Sequence, residues 1–474
     1  MTKMLLIIGN DKRLSDNFMN KFVFVAVFVS AILLLSLGII LLNPSSHTNP
    51  FFVGVTYSGN STNEAKLLID KVTDYSNLFV LQSGSLQEFP DKINEIGDYA
   101  VSSGMYFVVY FGSSRWTYLD NWLETYEEKW GTHFLGVYYG DEPGGKMLDG
   151  NTDFWDESTK SLIMKNPDGH ISGYPLAEDT KADYWPDGTI ILRIEEAVRV
   201  RTFVYYYPNG TITAERTEYG TTIKIEDYEV IYTYEELWNP RPFQTYAETA
   251  ERFIKQHNSN LINGPKNDTD ISAFTSDYTL YWYDYKAGYD VVLAQFGWNH
   301  TLAQDIALVR GAAELQNKKW GAIITWKYNH PPYLDSGEAI YDQMRTAYEA
   351  GAEYIMVFNY AKDIEGPYGT LQDEHFLALE RFWNEVVQSP EVEYGSIKAE
   401  AVLVLPEDYG WGMRNPKDKI WGLWNADEKS EQIWELRNLL LQEYGFTLDI
   451  VYDDMEYPII SSNYEQIYYW NQTI

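Results

Sequence analysis

The chain contains no cysteine among its 474 residues. Disulfides, zinc–thiolate sites, iron–sulfur clusters and thiol nucleophiles are therefore excluded. An extracellular protein without disulfides must be stabilised by burial of its core, and a chain of this length can provide that burial.

Basic residues are scarce as well. The chain has 36 Lys and Arg against 69 Asp and Glu, which gives a net charge of -33. This charge repels phosphate backbones and anionic lipid head groups, so we expect no nucleic-acid partner. The alternation of Asp149, Asn151 and Asp153 hints at calcium. However, Phe154 and Lys160 replace the Gly and the bidentate Glu of an EF-hand loop, so we expect no metal and no cofactor.

Charge is absent from one long segment, residues 22–42, which is 21 residues long. At about 1.5 Å per helical residue it crosses the hydrocarbon core of a bilayer. Four basic residues precede it: Lys3, Lys12, Arg13 and Lys21. The next Lys or Arg after it is Lys66. The positive-inside rule then places residues 1–21 in the cytoplasm and the rest of the chain outside the cell.

A cleaved signal peptide is the alternative interpretation of this segment. Its apolar region would be shorter and followed by small residues, whereas Leu-Leu-Asn-Pro occupies 41–44 here. We therefore expect an uncleaved signal anchor in the cell membrane, with residues 43–50 as a tether. Asn-x-Ser/Thr sequons fit an exported glycoprotein and occur at Asn60, Asn209, Asn267, Asn299 and Asn471.

From residue 51 to about residue 390, short apolar runs alternate with amphipathic helical patterns. The predicted strands are 51–57, 78–81, 106–111, 134–139, 278–285, 291–296, 322–326 and 354–358. The predicted helices are 63–75, 91–102, 118–130, 246–258, 302–316, 338–349 and 372–388. Eight such units in order predict a (β/α)8 TIM barrel, with a doubly wound sheet as the alternative.

Two other regions accompany the predicted barrel. Residues 146–242 form antiparallel strand patterns, and we interpret them as a β-rich insertion after strand 4 that covers the site. Residues 391–474 contain strand 401–405, helix 430–443 and strand 448–452. This order resembles the start of a flavodoxin-like, glutamine-amidotransferase-like domain, so a partial domain of that kind is expected. Without cysteine it cannot be an amidotransferase.

The fourth predicted strand ends in two adjacent carboxylates, Asp141 and Glu142, followed at once by Pro143. In a parallel barrel, the carboxyl ends of the strands carry the active site. An acidic loop that faces water is the alternative. We interpret Asp141 and Glu142 as candidate catalytic residues.

Other predicted strand ends carry amides, carboxylates and aromatic rings. The candidate substrate-binding residues are Tyr283, Asp284, Trp298, Trp326, Tyr328 and Asn359. Carboxylates transfer protons, amides bind hydroxyl groups, and aromatic rings stack on the C–H face of a sugar. This combination predicts a carbohydrate-binding site, although packing is the alternative role for each aromatic residue.

Adjacent side chains on a strand diverge, so Asp141 and Glu142 are poorly placed to flank a glycosidic bond as an opposed pair. The Asp-Glu-Pro motif at the end of strand 4 resembles that of the substrate-assisted hexosaminidases, which are glycoside-hydrolase (β/α)8 barrels. The resemblance implies that Asp141 orients the substrate acetamide and that Glu142 is the acid/base. Asp284 or Asp363 as nucleophile or base is the alternative.

The same resemblance gives the aromatic residues a role. It implies that Tyr328 or Tyr283 binds the acetamide oxygen and that Trp298 and Trp326 form the walls of the sugar-binding site. The sequence therefore predicts a membrane-anchored extracellular glycoside hydrolase acting on amino-sugar glycans. A non-catalytic glycan-binding protein or a structural cell-envelope protein on the same barrel is the alternative, and the oligomeric state is left open.

Overall fold

The computed structural model describes residues 51–112 and 119–149, strands and adjoining turns between 153 and 232, and residues 245–472 apart from 268, 299, 362, 363, 365, 389 and 390. The predicted anchor at 22–42 and its flanking segments lie outside these residues. Within the part that is described, no helix combines the length and the hydropathy needed to cross a bilayer.

Eight parallel strands close into a barrel, and each strand pairs with its neighbours in chain order. The strands are Phe52–Tyr57, Leu78–Leu81, Tyr106–Gly112, Phe134–Tyr139, Ala273–Asp277, Val291–Phe296, Lys319–Ile324 and Tyr354–Val357. The first strand closes the ring by pairing with the eighth, Phe52 opposite Tyr354. Burial on both faces explains why these strands are nearly continuous apolar runs. The predicted (β/α)8 barrel is confirmed.

The predicted fifth strand, 278–285, is wrong. The fifth strand is Ala273–Asp277, and Tyr281–Lys286 is a short helix. Aromatic residues favour strands, but here they are buried along the whole helix, so tertiary packing overrides the local preference. The true strand was missed because Thr275, Ser276 and Asp277 interrupt its apolar pattern.

Helices follow the strands around the barrel. They are Thr62–Val72, Pro90–Ser102, Leu119–Trp130, Pro143–Leu148, Tyr246–Ile262, Tyr281–Lys286, Leu302–Leu315, Gly337–Glu349 and Asp373–Phe382. Polar caps define several starts. Thr245 and Glu248 form a reciprocal capping box at the helix that returns the chain to the barrel.

The insertion after strand 4 contains antiparallel sheets. Its strands are Asp153–Phe154, Ser161–Lys165, Ile171–Pro175, Lys181–Tyr184, Ile190–Ala197, Val200–Tyr206, Ile212–Glu218, Thr221–Ile225 and Glu229–Tyr232. Tyr206 pairs with Ile212, which confirms the predicted hairpin around Asn209. That the insertion covers the barrel mouth stays a prediction.

A second sheet follows the barrel within the same compact unit. Its parallel strands lie side by side in the order Leu448–Tyr452, Ala401–Leu405 and Gln466–Tyr469. In the chain, helix Glu428–Tyr444 connects strand Ala401–Leu405 to strand Leu448–Tyr452. Its resemblance to a flavodoxin-like domain stays a prediction. This sheet packs on barrel helix Leu302–Leu315, where the Arg310 guanidinium donates to Asp449 at 2.8 Å.

Candidate active site

The fourth strand ends in a corner that carries Asp141 and Glu142. Gly140 has a φ of 75°, and a Cβ there would lie 2.7 Å from the Tyr289 hydroxyl. Glu142 also has a left-handed backbone, with φ 55° and ψ 47°. That conformation costs a non-glycine residue about 1 kcal/mol or more. The Glu142 N–H donates to the Ser276 carbonyl oxygen at 2.8 Å, so the fifth strand helps to hold the corner in place.

The Asp141 carboxylate is held by two hydroxyl groups. Its Oδ1 lies 2.5 Å from the Tyr138 hydroxyl and 3.1 Å from Ser276 Oγ. Burial, and then the charge of Asp141, raise the pKa of Tyr138, so the phenol stays protonated and can donate. The Asp141 side chain is 25% exposed. It is therefore fixed in position and still accessible from solvent.

The Glu142 carboxylate is held from the sixth strand. Its Oε1 accepts a hydrogen bond from Gln295 Nε2 at 2.8 Å, and the same nitrogen lies 3.0 Å from Ser276 Oγ. Burial raises the pKa of Glu142, and the charge of Asp141 raises it further, whereas Gln295 and Lys146 act in the opposite direction. Because a raised pKa keeps the proton on a carboxyl group at higher pH, Glu142 is suited to donate a proton.

Lys146 faces both carboxylates from helix Pro143–Leu148. Its Nζ donates to the Asp141 carbonyl oxygen at 2.5 Å and lies 3.8 Å from Asp141 Oδ2 and 3.9 Å from Glu142 Oε2. Since the side chain is 44% exposed, solvent screens these ion pairs. Lys146 is not among the site residues predicted from the sequence. Its spacing of four residues from Glu142 on a helix is the signal that points to it.

Asp277, at the end of the fifth strand, holds the loop that follows the acidic pair. Its buried carboxylate accepts N–H groups from Gly144 at 2.6 Å, Gly145 at 2.9 Å, Tyr278 at 2.7 Å and Thr279 at 3.2 Å. Burial raises the pKa of Asp277 to about 7. With its oxygens bonded to the main chain, Asp277 positions the loop. Asp277 was not predicted as a site residue because the fifth strand was predicted at 278–285 instead of Ala273–Asp277.

Tyr283 and Asp284, expected at the fifth strand end, lie in the buried helix Tyr281–Lys286. The Tyr283 ring lies 4.6 Å from that of Trp421 and 5.0 Å from that of Tyr452. Asp284 is fully buried, and this burial raises its pKa well above the usual range. Neither side chain is accessible to a substrate in this structure, because the short helix packs against the C-terminal region instead of forming a strand end.

The aromatic residues after strands six and seven include exposed rings. Trp298 is 43% exposed and Tyr328 is 39% exposed, and the Tyr328 ring lies nearly parallel to that of His330. The Trp298 N–H donates to the Trp326 carbonyl oxygen at 2.6 Å, which joins the two strand ends. Trp326 is half-buried and contacts the rings of Tyr333, Phe358 and Tyr360. The structure therefore places Trp298 and Trp326 side by side on neighbouring strand ends.

Asn359, after the eighth strand, is fully buried. Its N–H donates to Thr56 Oγ1 at 3.0 Å, and its carbonyl oxygen accepts from Ser58 Oγ at 2.8 Å. The Asn359 Oδ1 accepts from the Thr370 N–H at 3.1 Å. The bonds to Thr56 and Ser58 connect the end of the eighth strand to the end of the first. Asn359 therefore helps to close the barrel. The alternative candidate Asp363 lies outside the described residues.

No family model matches the chain, and no curated protein matches it. Among solved structures, the chain is similar to GH5_18 from Streptomyces cattleya in complex with GlcNAc, with 9% sequence identity and a TM-score of 0.41. The match covers 88% of this chain and 98% of that chain. It is also similar to endo-1,4-beta-mannanase from Eisenia fetida, with 12% identity, 71% and 91% coverage, and a TM-score of 0.30. Because both TM-scores are below 0.5, the fold assignment rests on the strand pairing of the barrel itself.

Proposed function

We propose that this protein is a glycoside hydrolase whose proton donor is Glu142. The observation that carries the proposal is the Asp141–Glu142 pair at the carboxyl end of the fourth strand of a closed parallel barrel. Active sites of such barrels lie at this face. The raised pKa of Glu142 fits protonation of a glycosidic oxygen, which needs a carboxylic acid that is still protonated at working pH.

The fixed position of Asp141 favours a substrate-assisted mechanism on amino-sugar glycans. In this mechanism Asp141 accepts the N–H of the substrate acetamide, whose oxygen attacks the anomeric carbon. Glu142 donates its proton to the leaving oxygen as the glycosidic bond breaks. It then takes a proton from the water that attacks the anomeric carbon, which restores the acetamide. Adjacent carboxylates suffice here because the substrate supplies the nucleophile.

Exposed aromatic rings support a sugar ligand. Trp298 and Trp326 follow neighbouring strands, and Tyr328 continues the same loop. Flat apolar rings stack on the C–H face of a pyranose. We infer that Trp298, Trp326 and Tyr328 bind the sugar, whereas Tyr283, Asp284 and Asn359 support the fold.

A non-catalytic glycan-binding protein is the second candidate. At the described ends of the eight strands, carboxylates occur at the fourth strand, as Asp141 and Glu142, and at the fifth, as Asp277. Because Asp277 is engaged by backbone N–H groups, these strand ends supply no free carboxylate opposite Glu142. A barrel that binds glycans without cleaving them fits this arrangement.

The proposed location is the cell surface, with residues 22–42 as a single-pass anchor and the barrel outside. The uncharged run and the basic residues before it support this topology. Protease treatment of intact cells tests it. Loss of the barrel with retention of the first residues supports the proposal, and full protection of the barrel contradicts it.

Hydrolysis of a panel of aryl N-acetylhexosaminides by the purified full chain tests the catalytic proposal. We expect Glu142→Gln to lower kcat by roughly 100-fold or more, because general acid catalysis is lost. Glu95→Gln is the matched control, since it makes the same isosteric change at a partly exposed glutamate on helix Pro90–Ser102. Equal inactivity of wild type and Glu142→Gln contradicts catalysis. If that inactive wild-type protein binds glycans, the result favours the glycan-binding protein. If it neither binds nor hydrolyses glycans, the result favours a structural cell-envelope role.

A further inference from the structure

A cavity lies between the helices that follow the sixth and seventh strands. Asp305 of helix Leu302–Leu315 and Gln343 of helix Gly337–Glu349 line it. Phe296 and Ile324, the last residues of the two strands, also line it.

This cavity is separate from the acidic pair. Gln295 points toward Glu142, and the next residue of the strand, Phe296, therefore points to the opposite face. The Thr325 N–H donates to the Phe296 carbonyl oxygen at 2.8 Å, so the paired strand ends stand between the two sites. A ligand in this cavity lies on the helix side of the barrel wall.

Three polar atoms of the cavity lining are buried without a hydrogen-bond partner. They are Asp305 Oδ2, Gln343 Oε1 and His300 Nδ1. Asp305 is only 3% exposed. The distance from His300 Nδ1 to Asp305 Oδ2 is 3.8 Å, which is too long for a hydrogen bond. Leaving a buried carboxyl oxygen unpaired is costly, so a donor from outside the chain would stabilise this lining.

The His300 ring is an acceptor toward the cavity. The Gln295 backbone carbonyl accepts a hydrogen bond from this ring, and since Nδ1 has no partner, that bond uses Nε2. In a neutral imidazole the remaining nitrogen, Nδ1, is an acceptor. Burial lowers the pKa of His300, which keeps the ring neutral. His300 Nδ1 and Gln343 Oε1 are therefore acceptors, and Asp305 Oδ2 is an acceptor once its carboxyl group has lost its proton.

The charges around Asp305 leave its oxygen unpaired. The charge of Arg437 lowers the pKa of Asp305, but Arg437 Nε donates to Gln304 Oε1 at 2.5 Å. Lys327, a cation of the cavity lining, has its Nζ 3.8 Å from Asp335 Oδ2. Burial is the larger influence and raises the pKa of Asp305 well above its usual range. A cationic ligand would favour the carboxylate, so its binding would release a proton.

We propose that this cavity binds a small organic ligand through a primary ammonium group. An ammonium group has three donors and no acceptor, which matches Gln343 Oε1, His300 Nδ1 and the carboxylate form of Asp305. The apolar side chains of Phe296 and Ile324 would contact the carbon chain of the ligand. This site is independent of the proposed hydrolase activity.

Calorimetric titration of the full chain with n-butylammonium and with neutral 1-butanol tests the proposal. We expect the ammonium to bind with one-to-one stoichiometry and roughly tenfold more tightly than the alcohol, because charge-assisted hydrogen bonds are the stronger ones. Asp305→Asn should remove this difference. Gln343→Glu should tighten ammonium binding by adding an anionic acceptor, and it keeps the test decisive should Asp305→Asn fail to fold.

Asp373→Asn is the matched control, because it neutralises an exposed aspartate at the start of another barrel helix. It should leave the affinity for n-butylammonium unchanged. Equal affinities for n-butylammonium and 1-butanol in the wild-type protein would overturn the proposal. So would ammonium binding that a folded Asp305→Asn variant retains in full. Since binding is measured directly, neither result depends on whether the protein hydrolyses glycans.

Discussion

Gln295 Nε2 lies 2.8 Å from Glu142 Oε1 and ties the candidate proton donor to the sixth barrel strand. This bond favours the carboxylate form, whereas burial and the charge of Asp141 favour the protonated form. The net effect raises the pKa of Glu142. Gln295 therefore both positions Glu142 and limits how far its pKa rises.

Replacing Gln295 by Leu should raise the pKa of Glu142 further, because the bond that favours its carboxylate is lost. A proton donor is active while protonated, so activity falls as the pH rises through its pKa. The high-pH limb of kcat/KM should therefore move upward by roughly one pH unit, the equivalent of one hydrogen bond to a charged group. Gln388→Leu, at an exposed glutamine, is the control. An unmoved limb would contradict the role of Glu142 as the acid.

The left-handed backbone of Glu142 predicts an unusual stability difference. Glycine adopts a φ of 55° without strain, whereas alanine does not. Glu142→Gly should therefore be more stable than Glu142→Ala by about 1 kcal/mol, although both lack the carboxylate. Urea denaturation of the two variants measures the difference. A more stable Glu142→Ala would show that the corner is not strained.

Asp277 should make stability depend on pH. Its folded pKa is raised to about 7, above the value near 3.9 of an unfolded chain. Between about pH 4 and pH 7 the folded state keeps a proton that the unfolded state releases. The free energy of unfolding should therefore fall as the pH rises through this window.

The Asp277→Asn variant isolates this effect. It should lose roughly 1–3 kcal/mol at pH 4, because its amide NH2 faces the backbone donors Gly144 and Gly145. It should not share the pH dependence, so the wild-type advantage should shrink from pH 4 to pH 7. Urea denaturation at a series of pH values measures this advantage. Parallel stability profiles for the two proteins would refute the raised pKa.

The ion pair between Arg310 and Asp449 joins the barrel to the C-terminal sheet. The side chains are 2% and 0% exposed, with a separation of 2.8 Å. Arg310→Met should cost about 3–5 kcal/mol, because it removes the cation that pairs with the buried Asp449 carboxylate. The double variant Arg310→Met/Asp449→Leu should recover a large part of this loss. Denaturant midpoints of the three proteins check the prediction, and additive losses in the double variant would contradict it.

Local patterns in the sequence predicted most of the fold. Strands with uninterrupted apolar runs, such as Leu78–Leu81 and Val291–Phe296, were predicted at their observed positions. Ala273–Asp277 was missed because its polar residues serve the tertiary structure: Ser276 bonds to Asp141, and Asp277 bonds to the loop after Glu142. Such contacts link strands that are separated by more than 130 residues, so no local pattern shows them.

The sequence by itself determined the strand–helix alternation and the position of Asp141 and Glu142 at a strand end, because side-chain periodicity and turn residues act locally. Only the tertiary structure decided which candidate side chains are exposed. Trp298 and Tyr328 reach solvent, whereas Tyr283, Asp284 and Asn359 are buried. The tertiary structure also brought Tyr138, Ser276 and Gln295 around the acidic pair. Burial and hydrogen bonding between distant strands depend on how the whole barrel closes.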